Sequence, residues 1–345
     1  MTPNTILIVT HSNDNLAIDK VTAALIRKGH NVVRLNTDLY PYQVRLEVLY
    51  SSSCPGHKLT TETGDTLFDK DIHAVWYRRF DPGAALPKDM DKQQRMACKE
   101  ETKRTLLGYL QSLDCFVMDD YWQVRKASNK EYQQKLALEL GLNMPATLIT
   151  NQPAAVTKFH QAYSGKMITK MQTAFSCIQD NREQVVYTSR VEEQHLQQLD
   201  GLALCPMVFQ ENIQKQLELR VTLVGDRVFC AAIDSNEHAE MRDDWRKKGA
   251  ITMHEWFDYS LPEDISCKLQ ALRRRLSLNY GAADIILTPE GQYYFLELNP
   301  CGEFYWLDHY TQADICEAIA EHLHEQGAKK QMMGVTKQQI IEKSG

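Results

Sequence analysis

The stretch DIILTPEGQYYFLELNPCGEFYWL, residues 284–307, carries the reading that decides the fold. Apolar runs flank the tetrapeptide TPEG at 288–291, the pattern of two antiparallel strands joined by a short turn. The hairpin is placed at residues 282–287 and 292–298. Side chains two apart in a strand share a face, so Glu297 and Asn299 project together. If Leu287 closes the turn opposite Gln292, Asp284 faces Phe295 and becomes a diagonal neighbour of Glu297. Three oxygen-bearing side chains then converge, a donor set suited to Mg²⁺, which prefers hard oxygen ligands and keeps water and phosphate around it. The plainer alternative is a solvent-facing strand with incidental acids. Against it stands the apolar setting at 293–298, where a buried charge needs a purpose.

Upstream, residues 217–224 and 227–233 flank Gly225–Asp226 and form a second hairpin. Glu218 and Arg220 alternate onto one face of its first strand, as partners for a common ligand or as a cross-strand ion pair. A helix over 265–278 separates the hairpins, and a last helix is expected at 314–324. The chain opens as an α/β unit: a strand at 6–10, a helix over 16–28 ending near Gly29, and a strand at 32–35. Strands at 45–50 and 74–78 enclose a polar hairpin turn at 63–65; a charged helix at 92–113 leads to a strand at 115–118. Ser128 with Glu131 three residues on resembles a capping box for a helix over 128–140, closed by Gly141. Extended segments at 146–150, 167–171 and 184–189 surround a helix at 154–162, without the even strand–helix rhythm of a doubly wound sheet. The expected fold class is therefore α+β / α/β, with an N-terminal α/β domain (1–120), a small central lobe (121–208), a C-terminal lobe (209–326) and a loose polar tail (327–345).

Composition narrows the classes. The 345 residues are 43% hydrophobic and 24% charged, with a formal net charge of −6. That is a globular balance, long enough for two or three domains. No dense Lys/Arg stripe or nucleic-acid motif is present, so no nucleic-acid partner is expected. No stretch approaches the roughly 20 apolar residues of a membrane span. The N-terminal apolar run, without a basic segment before it, is a first strand rather than a signal peptide. Nine cysteines, odd and scattered with no C-x-x-C pair, argue against a disulfide framework and for a reducing, cytoplasmic setting. His11, His73, His195, His238, His254 and His309 lie far apart without an H-E-x-x-H motif, and are taken as surface or hydrogen-bonded residues. P-loop, dinucleotide and protein-kinase signatures are missing too.

The 284–307 segment resembles the terminal metal-binding segment of ATP-grasp enzymes. More closely, the chain resembles the peptide-maturing ATP-grasp ligases of microviridin-type (graspetide) biosynthesis. Residues 6–13, 127–133, 167–170, 209–233, 244–246 and 280–307 carry the likeness, which extends to about His324. It implies an ATP-grasp fold with an N-terminal pre-ATP-grasp domain, a central lobe and a C-terminal catalytic lobe. It implies ATP and Mg²⁺, with Asp284, Glu297 and Asn299 as metal ligands and Lys170 and Lys130 as nucleotide-side lysines. Residues 209–212, with Gln210, Glu211 and Asn212, match the adenine hinge, and Glu218 an acid that orients the nucleotide. Arg220 matches a positive group near the phosphate or acyl phosphate, and Arg246, in the Asp244–Trp245–Arg246 motif, is another active-site residue by the same resemblance.

The partner so implied is a ribosomally made precursor peptide with a leader segment, whose Asp/Glu carboxylates are activated as acyl phosphates and captured by Ser/Thr or Lys. Residues 170–184 are a candidate lid. The central lobe and the 217–233 hairpin are candidates for leader docking. GEFYWL, 302–307, is either an acceptor pocket or an aromatic core segment, and a homodimer is the expected assembly. Two readings compete: an ATP-grasp ligase for a free amino acid or small metabolite, and a noncatalytic peptide- or nucleotide-binding protein.

Overall fold

A computed structural model describes residues 4–14, 16–52, 56–172, 176–179, 182–185, 188–237 and 252–344. The chain runs β1 (Thr5–Thr10), α1 (Leu16–Arg27), β2 (Asn31–Asn36), β3 (Arg45–Leu49), β4 (Gly56–Thr60), β5 (Thr66–Phe68), β6 (Ile72–Tyr77), α2 (Lys92–Ser112) and β7 (Phe116–Met118). β1 is apolar between its two terminal threonines and buried along its whole length, as a central parallel strand covered on both faces should be. The parallel sheet has the order β2-β1-β6-β7, and β3, β4 and β5 form a separate antiparallel meander. α1 buries Ile18, Val21 and Leu25 at helical spacing.

Next come α3 (Tyr121–Ala127) and α4 (Lys130–Glu139), where one helix was expected. Ser128 is not the N-cap of α4. It closes α3, its hydroxyl donating to the Val124 carbonyl, while the Asn129 side chain accepts from the Tyr132 amide and caps α4. Asp120 caps α3 in the same way, through the amides of Trp122 and Gln123. Both helices pack into the main core through Val124, Ala127, Leu136 and Ala137.

The central lobe follows: β8 (Thr147–Thr150), α5 (Pro153–Ala162), β9 (Met167–Lys170), the hairpin β10 (Ser176–Gln179) and β11 (Arg182–Val185), β12 (Ser189–Arg190) and β13 (Met207–Glu211). Its antiparallel sheet, β12-β9-β13-β8, runs through Glu211, past the expected boundary at 208. A small core of its own, including Val156, Met167, Val191, Leu202 and Phe209, packs this lobe separately from the rest.

The C-terminal lobe contains β14 (Leu217–Val224), β15 (Arg227–Ile233), β16 (Phe257–Asp258), α6 (Glu263–Arg275), β17 (Tyr280–Leu287), β18 (Tyr293–Asn299), α7 (Tyr305–Tyr310) and α8 (Ile315–Ser344). Its sheet order is β16-β15-β14-β17-β18. Both larger cores draw on the N-terminal domain and this lobe together. The segment expected as a loose tail is instead the second half of α8, a helix of 30 residues. α8 lies along α1 and β6, burying Ile315, Ile319 and Leu323. Few large apolar residues follow Leu323, so hydrophobic pattern alone does not show that the helix continues.

Candidate active site

The core of the site is one face of the C-terminal sheet. Across β14 and β17, Arg220 stands opposite Asp284; across β17 and β18, Asp284 stands opposite Glu297 and Ala282 opposite Asn299. The expected register is corrected in two respects. Leu287 pairs with Tyr293 rather than Gln292, and a bulge between Asp284 and Ile285 restores the phase. The bulge makes Leu296 the extra residue and sets Asp284 directly across from Glu297 instead of diagonally. Bulges re-aim side chains in this way beside active sites.

Two carboxylates face to face on neighbouring strands repel unless neutralised. Here Arg220 Nη1 donates to Asp284 Oδ1 at 2.7 Å, and Lys130 Nζ lies 2.7 Å from Glu297 Oε2. Arg220 is buried, and burial by itself disfavours its charge. The Asp284 carboxylate, with Glu297 beyond it, nevertheless holds its pKa above the ordinary arginine value. Its Nη2 also donates to the Glu303 carbonyl at 3.1 Å. The close approach accounts for Gly302: a Cβ there would fall 2.5 Å from Ala282 Cβ and 3.0 Å from Arg220 Nη2.

Glu218 does not pair with Arg220. Lys215 Nζ sits 2.5 Å from its carboxylate. Glu218 and Arg220 still share the face, roughly 7 Å apart along the strand, so β14 runs from the acid cluster toward residues 211–215. A cavity of about 580 Å³ opens there, lined by residues including Glu211, Asn212, Ile213, Lys215, Thr288 and Tyr294. That volume lies within the range of small-molecule sites.

Lys170 Nζ donates to Gln210 Oε1 at 3.0 Å, and Gln210 Nε2 donates to Thr147 Oγ1 at 2.8 Å. Gln210 is thus buried and committed to aiming Lys170, while Glu211 and Asn212 reach the cavity. The first turn of α4 ties the halves together. Lys130 meets Glu297, and the neighbouring Glu131 accepts from Gln172, two residues beyond Lys170. Arg246 lies outside the described residues, as do residues 173–175 and 180–181 of the candidate lid.

Several contributors were not singled out in the sequence. Gln133, buried in α4, donates to the Leu298 carbonyl at 2.7 Å and accepts from the Leu298 amide at 2.8 Å, pinning the residue between Glu297 and Asn299. Arg78, at the end of β6, donates to both Asp14 oxygens and, at 2.6 Å, to Glu303 Oε2; Arg79 holds the other Glu303 oxygen. Asp119 accepts from the amides of Asn279 and Tyr280 where β17 begins, and burial pushes its carboxyl up to about 6. Each is a polar residue next to an element boundary, a weak signal without the fold. Of the GEFYWL segment, Phe304, Trp306 and Leu307 are core residues, which settles that choice against an acceptor pocket for those three.

A nucleotide-sized cleft between a small antiparallel lobe and a sheet bearing paired acids defines an ATP-dependent carboxylate ligase of ATP-grasp architecture. The MvdD pre-ATP grasp domain family matches residues 5–125. No curated protein sequence matches the chain. Among solved structures, a RiPP-associated ATP-grasp ligase of Chryseobacterium gregarium, in complex with ADP and a leader and core peptide, is 37% identical over 93% of this chain and 97% of its own, with a TM-score of 0.89. The macrocyclase MdnC of Microcystis aeruginosa MRC, bound with precursor peptide MdnA, is 39% identical over 93% and 99%, TM-score 0.85. The macrocyclase MdnB of the same organism is 36% identical over 93% and 99%, TM-score 0.79. The chain belongs to this family of RiPP-associated ATP-grasp macrocyclases, the microviridin (graspetide) type of ligase.

Proposed function

We propose that this chain phosphorylates Asp or Glu side chains of a leader-bearing precursor peptide with ATP and closes each onto a Ser/Thr hydroxyl or Lys amine of the same peptide. The observation that carries the reading is the acid cluster, Asp284, Glu297 and Asn299, bracketed by Arg220 and Lys130 and joined by β14 to the hinge cavity. Its three oxygen donors fit Mg²⁺, whose chemistry when bound is to offset phosphate charge. Glu211 and Asn212 would border the adenine, and Glu218 the ribose. Lys170, aimed by Gln210, and Lys130 would meet phosphate oxygens as point charges. Arg220 offers a rigid fork that matches phosphate or acyl-phosphate oxygens.

In the first step a carboxylate oxygen attacks the γ-phosphorus, giving an acyl phosphate and ADP. In the second, the hydroxyl or amine attacks the acyl carbon, loses its proton and expels phosphate. Water must be kept from the acyl phosphate meanwhile, and the separately packed central lobe is the part built to close over it. The relatives bound to leader, core or precursor peptides support the substrate class.

The reading extends to location and assembly. No described helix is long and apolar enough to cross a membrane, and Cys98, Cys115, Cys205, Cys230, Cys267, Cys301 and Cys316 are free thiols, as in a reducing cytoplasm. A homodimer is part of the proposal, checked by solution mass. The test of function is incubation with ATP, Mg²⁺ and leader-bearing peptides rich in Asp/Glu and Ser/Thr/Lys. One water lost per linkage, with ADP formed in step, is expected; fragmentation separates ester from amide. A product joining two separate substrates, or turnover indifferent to the leader, would refute it.

A further inference from the structure

Two arginines directly follow β6, and both reach the loop that leaves the acid cluster. Arg78 is buried, its guanidinium 5.7 Å from the centre of the Trp76 ring and 5.3 Å from that of Phe304. It donates to the two Asp14 oxygens at 2.7 and 3.2 Å and to Glu303 Oε2 at 2.6 Å. Arg79 is half-buried, and Glu303 Oε1 is the one partner of its guanidinium among the described residues. The remaining donors of that fork are uncommitted.

We propose that Arg79 receives the reacting carboxylate of the precursor peptide, and that Glu303 holds the position until the peptide arrives. The inference rests on the ligase reading given above and names the residue that selects its acid.

Charge balance supports an exchange. Arg78 and Arg79 face Asp14 and Glu303, two cations against two anions. Burial, with Arg78 alongside, lowers the Arg79 pKa from its ordinary value, so a charge left uncompensated there is costly. A carboxylate that replaces Glu303 keeps the balance, whereas one added beside it would not.

The two anions differ in their freedom to leave. The Asp14 side chain is 14% exposed and tied to the buried Arg78; that of Glu303 is 46% exposed. An ion pair with so open a partner contributes little, so water can take the glutamate back. The main chain need not follow, because Arg220 Nη2 holds the Glu303 carbonyl at 3.1 Å. Arg78 meanwhile keeps Asp14.

The place is also right for the chemistry. Arg220 grips the carbonyl of the residue whose carboxylate lies on Arg79. An acid held by Arg79 therefore stands one glutamate side chain from Arg220, the cation beside Asp284. A guanidinium partner keeps that acid ionised, the form whose oxygen attacks phosphorus. The fork also matches two oxygens and a negative charge, which Asp and Glu offer and Asn and Gln do not.

The test uses the full chain and N-acetylglutamate N-methylamide, a blocked glutamate with a free side-chain carboxylate, titrated by ligand-observed NMR. Glu303→Gln should bind it at least about tenfold more tightly than the wild type, the worth of one charge-assisted pair. Adding Arg79→Gln should return binding to the wild-type level or below. Arg79→Lys in the same background keeps the charge without the fork and should fall between, with circular dichroism unchanged. The matching glutamine derivative should bind to none of them. Equal binding by wild type and Glu303→Gln, tight binding that survives Arg79→Gln, or no binding by any variant would each overturn the assignment. These readouts need no turnover, so a failure of cyclisation leaves them intact. With a peptide that the chain cyclises, Arg79→Gln alone should raise the peptide KM by about tenfold and leave the ATP KM unchanged. An unchanged peptide KM would sink the role of Arg79 while the proposed function stands.

Discussion

Replacing Gln133 by leucine keeps nearly the same volume and removes one amide. In the folded chain that amide meets both backbone groups of Leu298, at 2.7 and 2.8 Å, and also donates to the Ala127 carbonyl. β18 is the edge of its sheet, so no further strand can take over the outward-facing groups of Leu298. Leaving a buried backbone donor or acceptor unpaired costs about 1–3 kcal/mol, so two such groups, partly relaxed, amount to about 2–4 kcal/mol. Urea denaturation of Gln133→Leu should show a loss of that size.

The functional effect should be separate. Glu297 and Asn299 flank Leu298, and a strand free to shift there no longer presets their oxygens. The Mg²⁺ concentration for half-maximal, peptide-dependent ADP release should rise by about 10–100-fold, the cost typical of losing a partner that orients metal ligands. The rate at saturating Mg²⁺ should fall much less. A destabilised variant with unchanged Mg²⁺ dependence would reduce Gln133 to a core hydrogen bond. A variant like wild type in both assays would refute the geometry itself.

Glu297→Gln and Lys170→Ala should each reduce peptide-dependent ADP formation strongly while leaving the unfolding midpoint nearly unchanged; wild-type turnover by both would remove the site assignment. Lys130→Met should act in opposite directions on two ligands. Freed of a cation at 2.7 Å, Glu297 should bind Mg²⁺ more tightly in the absence of nucleotide, by about fivefold for a partly exposed pair worth ~1 kcal/mol, whereas isothermal titration should show weaker ATP binding. Asp14 supplies a pH test. Burial works against its charge, but hydrogen bonds and charge from Arg78 prevail, so its pKa in the folded chain falls below the ordinary 3.8. The stability it contributes is therefore present above that value and lost as pH falls through the lowered one. Asp14→Asn should be less stable than wild type at neutral pH, with the gap closing in acid; a gap independent of pH would deny the Arg78 pairing.

What the sequence discloses here is what period and turn chemistry encode. The hairpin over β14 and β15 was readable to its end residues because an eight-residue β-like run meets Gly225–Asp226 and a second run. The face shared by Glu218 and Arg220, and that shared by Glu297 and Asn299, followed from alternation alone. The register of β17 against β18 did not follow, since a bulge adds a residue without any change in composition, and Leu296 looks like every other apolar position. Ser128 was read as a helix cap because serine favours caps. Asn129, one residue on, won through its contact with the Tyr132 amide, and a seven-residue helix ahead of it was too short to show a period.

The contacts that turn a face into a site lay beyond such patterns because they join elements far apart in sequence. Arg220 takes the Glu303 carbonyl, while the Glu303 side chain is gripped by Arg78 and Arg79, which directly follow β6. The loop after the acid cluster is thereby fixed from two domains at once. Backbone pairing across β17 and β18 sets the separation of Asp284 and Glu297, and Gln133 of α4 pins β18 at Leu298. Lys130 and Lys170 come from other elements, α4 and the central lobe, and the second of these packs on a core of its own. The half of the site that would hold Mg²⁺ on the proposed reading is therefore fixed by the sheet and its contact with α4. On the proposed reading, Lys170 in the separately packed central lobe is the charge that would adjust to a phosphate, so that this lobe could close on ATP without disturbing the acids.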